Sequence, residues 1–297
     1  MADKIEKASP RSGAVRARGP WREAWSVFRR NHAALVGLGL LALVAAMVLA
    51  GPLVYGVDPF EIVGAPKMGP GMEPDAPFGT DYLGRDVLAG LLKGGRPTLI
   101  VGICAALITT LIGITIGSLG GFYGGAVDGA LGRVTEFFQV LPALLFAMVL
   151  ITLFTPSLVT VTLAIGVVAW TGMARLTRAE FLRIKQLEFV RAARSIGASN
   201  ARIIWRVILP NALPPIIVSA TLATGTAILF EAGLSFLGLS DPNVMSWGMM
   251  IGSNRNYLRE AWWAVTFPGV CIFITVLGIS LVGDGLNDAF NPKLRTR

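Results

Sequence analysis

The chain of 297 residues has one histidine, two cysteines and only 15% charged residues. A soluble domain carries about 25% charge, whereas hydrophobic residues here reach 54% and the mean hydropathy is +0.64. That balance points to a chain built for lipid. The single histidine, His32, lies at the edge of the first apolar run. It has no paired catalytic group at bilayer depth, which argues against a membrane-embedded enzyme, and so few His and Cys argue against direct metal coordination. Cys104 and Cys271 fall inside apolar runs and read as packing residues, since disulfide frameworks belong to small secreted domains. No GxxxxGK run followed by Ser or Thr occurs, so any ATP chemistry resides on another polypeptide.

What the chain does have is apolar length. Uncharged runs occur at Ala33–Tyr55, Pro97–Tyr123, Phe137–Ala174, Val207–Phe230 and Ala261–Gly283. A span needs roughly 20 residues at 1.5 Å rise. Phe137–Ala174 is too long for one crossing, and Thr155-Pro156-Ser157 in its middle reads as a tight turn. The expectation is an all-α integral membrane protein with six transmembrane helices. Ala33–Tyr55 is too long for a signal-peptide core and stays as the first span.

The net charge of +8 is distributed unevenly. Twenty of the 26 basic residues fall before the first span, in the loop after span four, at Arg133 or in the tail. Lys67, Arg85, Lys93, Arg96, Arg255 and Arg259 are assigned to the other side. This asymmetry predicts both termini in the cytoplasm and explains the charge without nucleic acid. Residues 1–31 are then a cytoplasmic segment, with Trp21, Trp25 and Phe28 on one face of a short interfacial helix. Residues 32–286 form the transmembrane domain, with an outer loop at 56–96 and a cytoplasmic loop at 175–210. Residues 287–297 form a cytoplasmic tail.

Local features refine this plan. In the outer loop, Thr80 or Asp81 is expected to cap a short surface helix holding Val87, Leu88, Leu91 and Leu92, ahead of span two. Asp81 and Asp86 read as capping and loop-ordering residues in preference to metal ligands. Gly113, Gly117, Gly121 and Gly125 recur every fourth residue in and just after span two and predict close helix packing. Glu231 follows span five directly. If that helix runs on to about Leu237, Glu231 lies inside the membrane towards the outer side. An ionisable group there lines a pathway or makes a bundle hydrogen bond.

The most patterned stretch is Glu188–Pro210, EFVRAARSIGASNARIIWRVILP. Glu188 suits a helix N-terminus through the macrodipole. Gly197 suits the left-handed position after a helix end, and Ser199 suits the cap of a second helix. Leu209-Pro210 is expected to stop that helix, with Asn211 starting span five. Ala192-Ala193 offer a small surface that can enter a groove, and Arg191 and Arg194 offer charge-assisted contacts. The order is Ala-Ala, three residues, Gly, nine residues, then aliphatic-x-Leu-Pro.

With Ala192, Ala193, Gly197, Val207, Leu209 and Pro210, this segment resembles the EAA loop of binding-protein-dependent ABC transporter permeases. PFGTDYLGRDVLAGLL at 77–92 and EAGLSFLGLSDPNVMSWGMMI at 231–251 resemble the C-type subunit of the dipeptide/oligopeptide/nickel subfamily. Arg191 stands where the family pattern has Glu, so no role resting on that acid carries over. The resemblance implies the architecture of a type I ABC importer permease in the bacterial inner membrane. It implies a peptide importer, or one for nickel complexes, glutathione or opine-like solutes. It also implies a second permease subunit, two ATPase subunits that bind the ATP, and a periplasmic or extracellular substrate-binding protein. Residues 188–210 would be the ATPase-coupling segment, carried by Glu188, Arg191, Ala192, Ala193, Arg194, Gly197, Leu209 and Pro210. No cofactor of its own is implied. A self-contained secondary transporter is disfavoured, since no convincing internal repeat is visible and Glu231 is the one intramembrane acid.

Overall fold

The computed structural model describes residues 25–290. The basic residues before Trp25 and the tail beyond Phe290 lie outside the described residues, as does Trp21. Residues 25–28 are helical, and the rings of Trp25 and Phe28 stack at 5.7 Å. Phe28 is buried against Ala34 and Ala289.

Helix α1 (His32–Val54) starts at Asn31, whose side chain accepts the Ala34 N–H at 3.1 Å. Asn31 Nδ2 also donates to Asp288 at 2.9 Å, which ties the start of α1 to the end of the last helix. Helix α2 (Val87–Tyr123) is 37 residues long and continuous. The expected surface helix and span two are therefore one element, and residues 87–96 are helical. Its cap is Asp86, which accepts from the N–H groups of Leu88 and Ala89. Thr80 and Asp81 are occupied elsewhere: Thr80 bridges Met68 and Ala65, and Asp81 Oδ1 accepts from Leu83 and Arg85. Burial raises the Asp81 carboxyl above the usual carboxylate range, against the pull of those donors. Pro97 sits inside α2 without breaking it, and Thr98 Oγ1 donates to the Gly94 carbonyl beside it. Such side-chain bonds let spanning helices tolerate proline.

The third span is not straight. Helices α3 (Gly125–Val140) and α4 (Ala143–Leu153) meet at Leu141-Pro142 with a bend of 88°. A residue before proline is driven to extended backbone, and Leu141 adopts φ −72°, ψ 128°. Among the described residues five helices are long and apolar enough to cross a membrane, and the bent pair, taken as one span, makes six. The Thr155-Pro156-Ser157 turn is where the sequence put it, with Ser157 capping helix α5 (Leu158–Ile184).

After α5 come α6 (Glu188–Ser195) and α7 (Asn200–Phe236). Leu209-Pro210 does not stop α7. Residues Ile203–Ile208 form a π-helical turn, and the α-helix resumes at Leu209 with Pro210 in its first turn. The side chain of Asn211 donates to the Val207 carbonyl at 2.7 Å. Helix α8 (Trp247–Asn254) is short and inserted into the bundle, and α9 (Trp263–Phe290) closes it.

The glycines of α2 set the tightest contact. A β-carbon on Gly113 would lie 2.5 Å from Met173 Cβ, one on Gly117 2.4 Å from the Ala174 carbonyl, and one on Gly121 2.7 Å from Phe181 Cβ. α5 thus lies against the backbone of α2. Gly125 does not join this row, because it has left the helix at φ +54° with open space around it. At the loop end, residues 55–86 fold over α8 and the start of α9. Trp263 Nε1 donates to the Thr80 carbonyl, Asn254 Oδ1 accepts from Tyr82, and Tyr82 stacks on Tyr257.

Gly117→Ala is expected to destabilise the protein by about 1–3 kcal/mol through overpacking against α5, whereas Gly129→Ala, which meets nothing within 4 Å, is expected to be neutral. Thermal unfolding of the two variants in detergent checks the contrast; equal midpoints would remove the close contact from the account.

Candidate functional site

The Glu188–Pro210 segment folds as two helices joined by a turn, with its polar face outward. The inward anchor of α6 is Val190, 1% exposed, within a cluster formed by Phe122, Phe181, Ile184, Ile203, Ile204 and Ile208. Glu188, Arg191, Ala192, Arg194, Ser195 and Gly197 are exposed, and Ala193 is half-buried. Glu188 occupies the first turn, as its charge favours. Ala192 and the two arginines therefore form one open face, with Ala193 at its inner edge.

The turn is a Schellman motif. The Gly197 N–H donates to the Arg194 carbonyl at 3.0 Å, and the Ala198 N–H to Ala193 at 3.1 Å. Gly197 has φ +79°, the left-handed conformation that only glycine adopts freely. Nothing lies within 4 Å of a β-carbon placed there, so the demand on this residue is conformational and not steric. Ser199 caps the next helix through the Arg202 N–H. Leu209 packs on the same cluster as Val190, while Pro210 is exposed. The structure thus gathers Glu188, Arg191, Ala192, Ala193, Arg194 and Gly197 into one surface, and sets Leu209 and Pro210 at the root of α7.

Apolar members of this surface were not legible from the motif. Ile196 is 86% exposed, and Leu187, Phe189 and Trp205 are also exposed. Among the eight residues of α6 Val190 alone is buried, and the motif itself does not mark Phe189 or Ile196 as surface residues. Lys185 is a second omission. Its ammonium bonds the Phe122 carbonyl and lies over the Phe122 ring, pinning the end of α5 to the end of α2.

Glu231 lies far from this surface, near the other end of α7. It is 2% exposed and sits among Val101, Leu158 and Val161. Oε1 accepts from Ser235 Oγ at 2.7 Å, and Oε2 has no protein partner. Ser246, which caps α8, is 3.5 Å from Ser235. The fully buried Trp247 follows, with its N–H directed to Thr98 Oγ1 and its ring nitrogen donating to the Leu91 carbonyl at 2.9 Å. Glu231 therefore joins a buried polar chain running through α7, α8 and α2, and faces no open passage in this conformation.

Comparison with known proteins follows the same lines. Residues 113–296 match the model for the binding-protein-dependent transport system inner membrane component, and residues 19–70 match that for the N-terminal TM domain of oligopeptide transport permease C. The chain is 37% identical over 282 residues to the di/tripeptide transport system permease protein DppC of Pseudomonas aeruginosa, covering 93% of each. It is 36% identical over 297 residues to the oligopeptide transport system permease protein OppC of Bacillus subtilis, covering 99% of this chain and 95% of that one. Its fold is similar to an inward-facing MetNI methionine ABC transporter chain, with TM-score 0.58 and 21% identity, covering 68% of this chain and 96% of that chain. The architecture is that of a type I ABC importer permease.

Removing the Glu231 carboxyl strands the Ser235 hydroxyl, and an unmade buried hydrogen bond costs about 1–3 kcal/mol. Glu231→Ala should lower the unfolding midpoint in detergent, and Glu231→Gln, which keeps an acceptor, should recover most of the loss. If the two variants melt together, the hydrogen bond is not what holds this end.

Proposed function

The chain belongs to the family of binding-protein-dependent transport system inner membrane components, and we propose that it is the subunit through which an ATP-driven importer passes di- and oligopeptides. It is a multi-pass inner membrane protein. Support for peptide cargo comes from the di/tripeptide and oligopeptide permeases that resemble it along nearly their whole length. A second permease subunit would complete the pathway, two ATPase subunits would bind ATP at its cytoplasmic face, and a binding protein would deliver cargo from the other side. Both termini would then lie in the cytoplasm. The chain would need no cofactor of its own.

One observation carries the coupling role: the exposed Ala192-Ala193 face, flanked by Arg191 and Arg194, is held rigidly on the bundle by Val190 and the Gly197 turn. Methyl side chains let a partner approach the helix backbone, and the guanidinium groups meet its acidic rim. The apolar Ile196 and Phe189 add buried area on docking. A push on α6 is passed into α7, which continues unbroken through Leu209 and Pro210 to Phe236. At 1.5 Å per residue its 37 residues span about 55 Å, so one rod joins the coupling surface to Glu231. Movement of that rod would open the α7–α8 contact and expose the free oxygen of Glu231 at the outer end of the pathway.

The decisive measurement pairs ATP hydrolysis with peptide uptake in the reconstituted transporter. Gly197→Val forces a β-branched residue into the left-handed region, at a cost of about 1–2 kcal/mol or more. Uptake per ATP should fall roughly tenfold, matching that penalty, with the subunit still inserted. Gly197→Asn, which tolerates the conformation, should retain most coupling. Full transport by the valine variant, or uptake without any ATPase, would overturn the assignment.

A further inference from the structure

Helix α3 is the least secured rod in the bundle. Thr135 is its single buried residue. The chain enters it through Gly124 and Gly125, at φ +69° and +54° with nothing within 4 Å of either, and leaves it through the 88° bend at Leu141-Pro142. Two consecutive left-handed glycines make a swivel that residues with a β-carbon adopt poorly. Between these joints lie 16 helical residues, about 24 Å long.

A bidentate ion pair holds the rod. Arg178 of α5 reaches Asp128 with Nε to Oδ1 at 2.5 Å and Nη2 to Oδ2 at 2.7 Å. A cavity of about 570 Å³ lies between α3, α5 and the end of α2, lined by Gly117, Gly120, Arg133, Gln139 and Arg175 among others. That volume falls in the range of small-molecule sites. Beside the cavity the situation is opposite. There α5 lies on the α2 glycines, and Lys185 ties its end to Phe122. α2 and α5 thus form one stiff unit, against which α3 is hinged.

We propose that α3 is a flap over the coupling-loop end of the transport pathway, and that Asp128–Arg178 is the latch that keeps it shut. The proposal rests on the permease reading above. Arg178 lies six residues before Ile184, where α5 ends and the α6 segment begins. A displacement of α6 that turns the end of α5 tilts the guanidinium fork away from the carboxylate. A fork needs both bonds in plane, so a small rotation undoes it. The side chains of Arg178 and Asp128 are 46% and 20% exposed. Such a pair biases an equilibrium without locking it, as a part that opens in every cycle requires.

Two sets of variants test this in the complete transporter in proteoliposomes. Asp128→Asn and Arg178→Gln should each lower uptake per ATP hydrolysed roughly threefold, the size expected of a half-exposed ion pair. The exchanged pair, Asp128→Arg with Arg178→Asp, should restore most of it. A purely structural pair would change the unfolding midpoint and leave the ratio alone. Independently, with Cys104 and Cys271 replaced by alanine, Gly120→Cys and Leu131→Cys place thiols on facing sides of the cavity, where Leu131 Cδ1 lies 3.9 Å from a β-carbon on Gly120. A short bis-methanethiosulfonate cross-linker, which forms a disulfide with each thiol and releases sulfinate, should join them in the ATP-free complex and stop uptake, and reduction should restore it. Failure to cross-link, undiminished uptake when cross-linked, or an exchanged pair no better than the single variants would overturn the flap. If those results arise while Gly197→Val still uncouples transport, the flap alone is wrong. If Gly197→Val is also silent, the permease reading falls with it.

Discussion

Backbone contact between α2 and α5 is the constraint on which the rest of the molecule depends. In lipid, no hydrophobic drive pulls two apolar helices together, so close packing and polar bonds must do it. Gly113, Gly117 and Gly121 remove side chains along one stripe of α2, and α5 fits against that stripe. The pairing aligns the end of α5 with the end of α2, where Lys185 meets Phe122. It also fixes where α6 emerges. The apolar cluster around Val190 forms because Phe122, Phe181 and Ile184 are already held side by side.

The loop end uses a different kind of cement. Glycine again permits the approach, since a β-carbon on Gly248 would sit 2.7 Å from Ala232 Cα. What fastens α8 there is polar: Ser246, Ser235, Glu231, Thr98 and the indole of Trp247 form a buried relay with Leu91. A buried polar network disfavours other arrangements, because they leave further members unpaired. The two ends therefore differ in character. The α6 end is greased and broad, whereas the loop end is specific and narrow.

Much of this was legible in residues whose backbone demands are unusual. Gly197, Ser199 and the Thr155-Pro156-Ser157 turn appear where local chemistry puts them, because each acts within four or five residues of itself. Proline misled in both directions. Pro210 reads as a stop in the sequence but lies in a continuous helix, since the preceding π turn absorbs it. Pro142 was passed over and bends the third span by 88°, since apolar residues on both sides conceal a change of direction from hydropathy. Asp86 caps α2 where Thr80 or Asp81 seemed equally suited, because those two are claimed by Met68, Ala65, Leu83 and Arg85. The exposed face of α6 is readable as a motif, but Ile196 and Trp205 are not, since exposure of an apolar residue is a tertiary fact.

The π turn at Ile203–Ile208 has one more effect. A π turn holds one residue more than the α turn around it, which is about 100° of rotation about the helix axis. The residues before the turn and those after it are thus out of phase along a single rod, and the turn lets Ile203, Ile204 and Ile208 join the same cluster as Ala212 and Ile216. A helical wheel drawn through 200–236 with one period would assign the residues before Leu209 to the wrong neighbour. The two halves of α7 can each satisfy their own surroundings, as two gears of different timing can share a shaft.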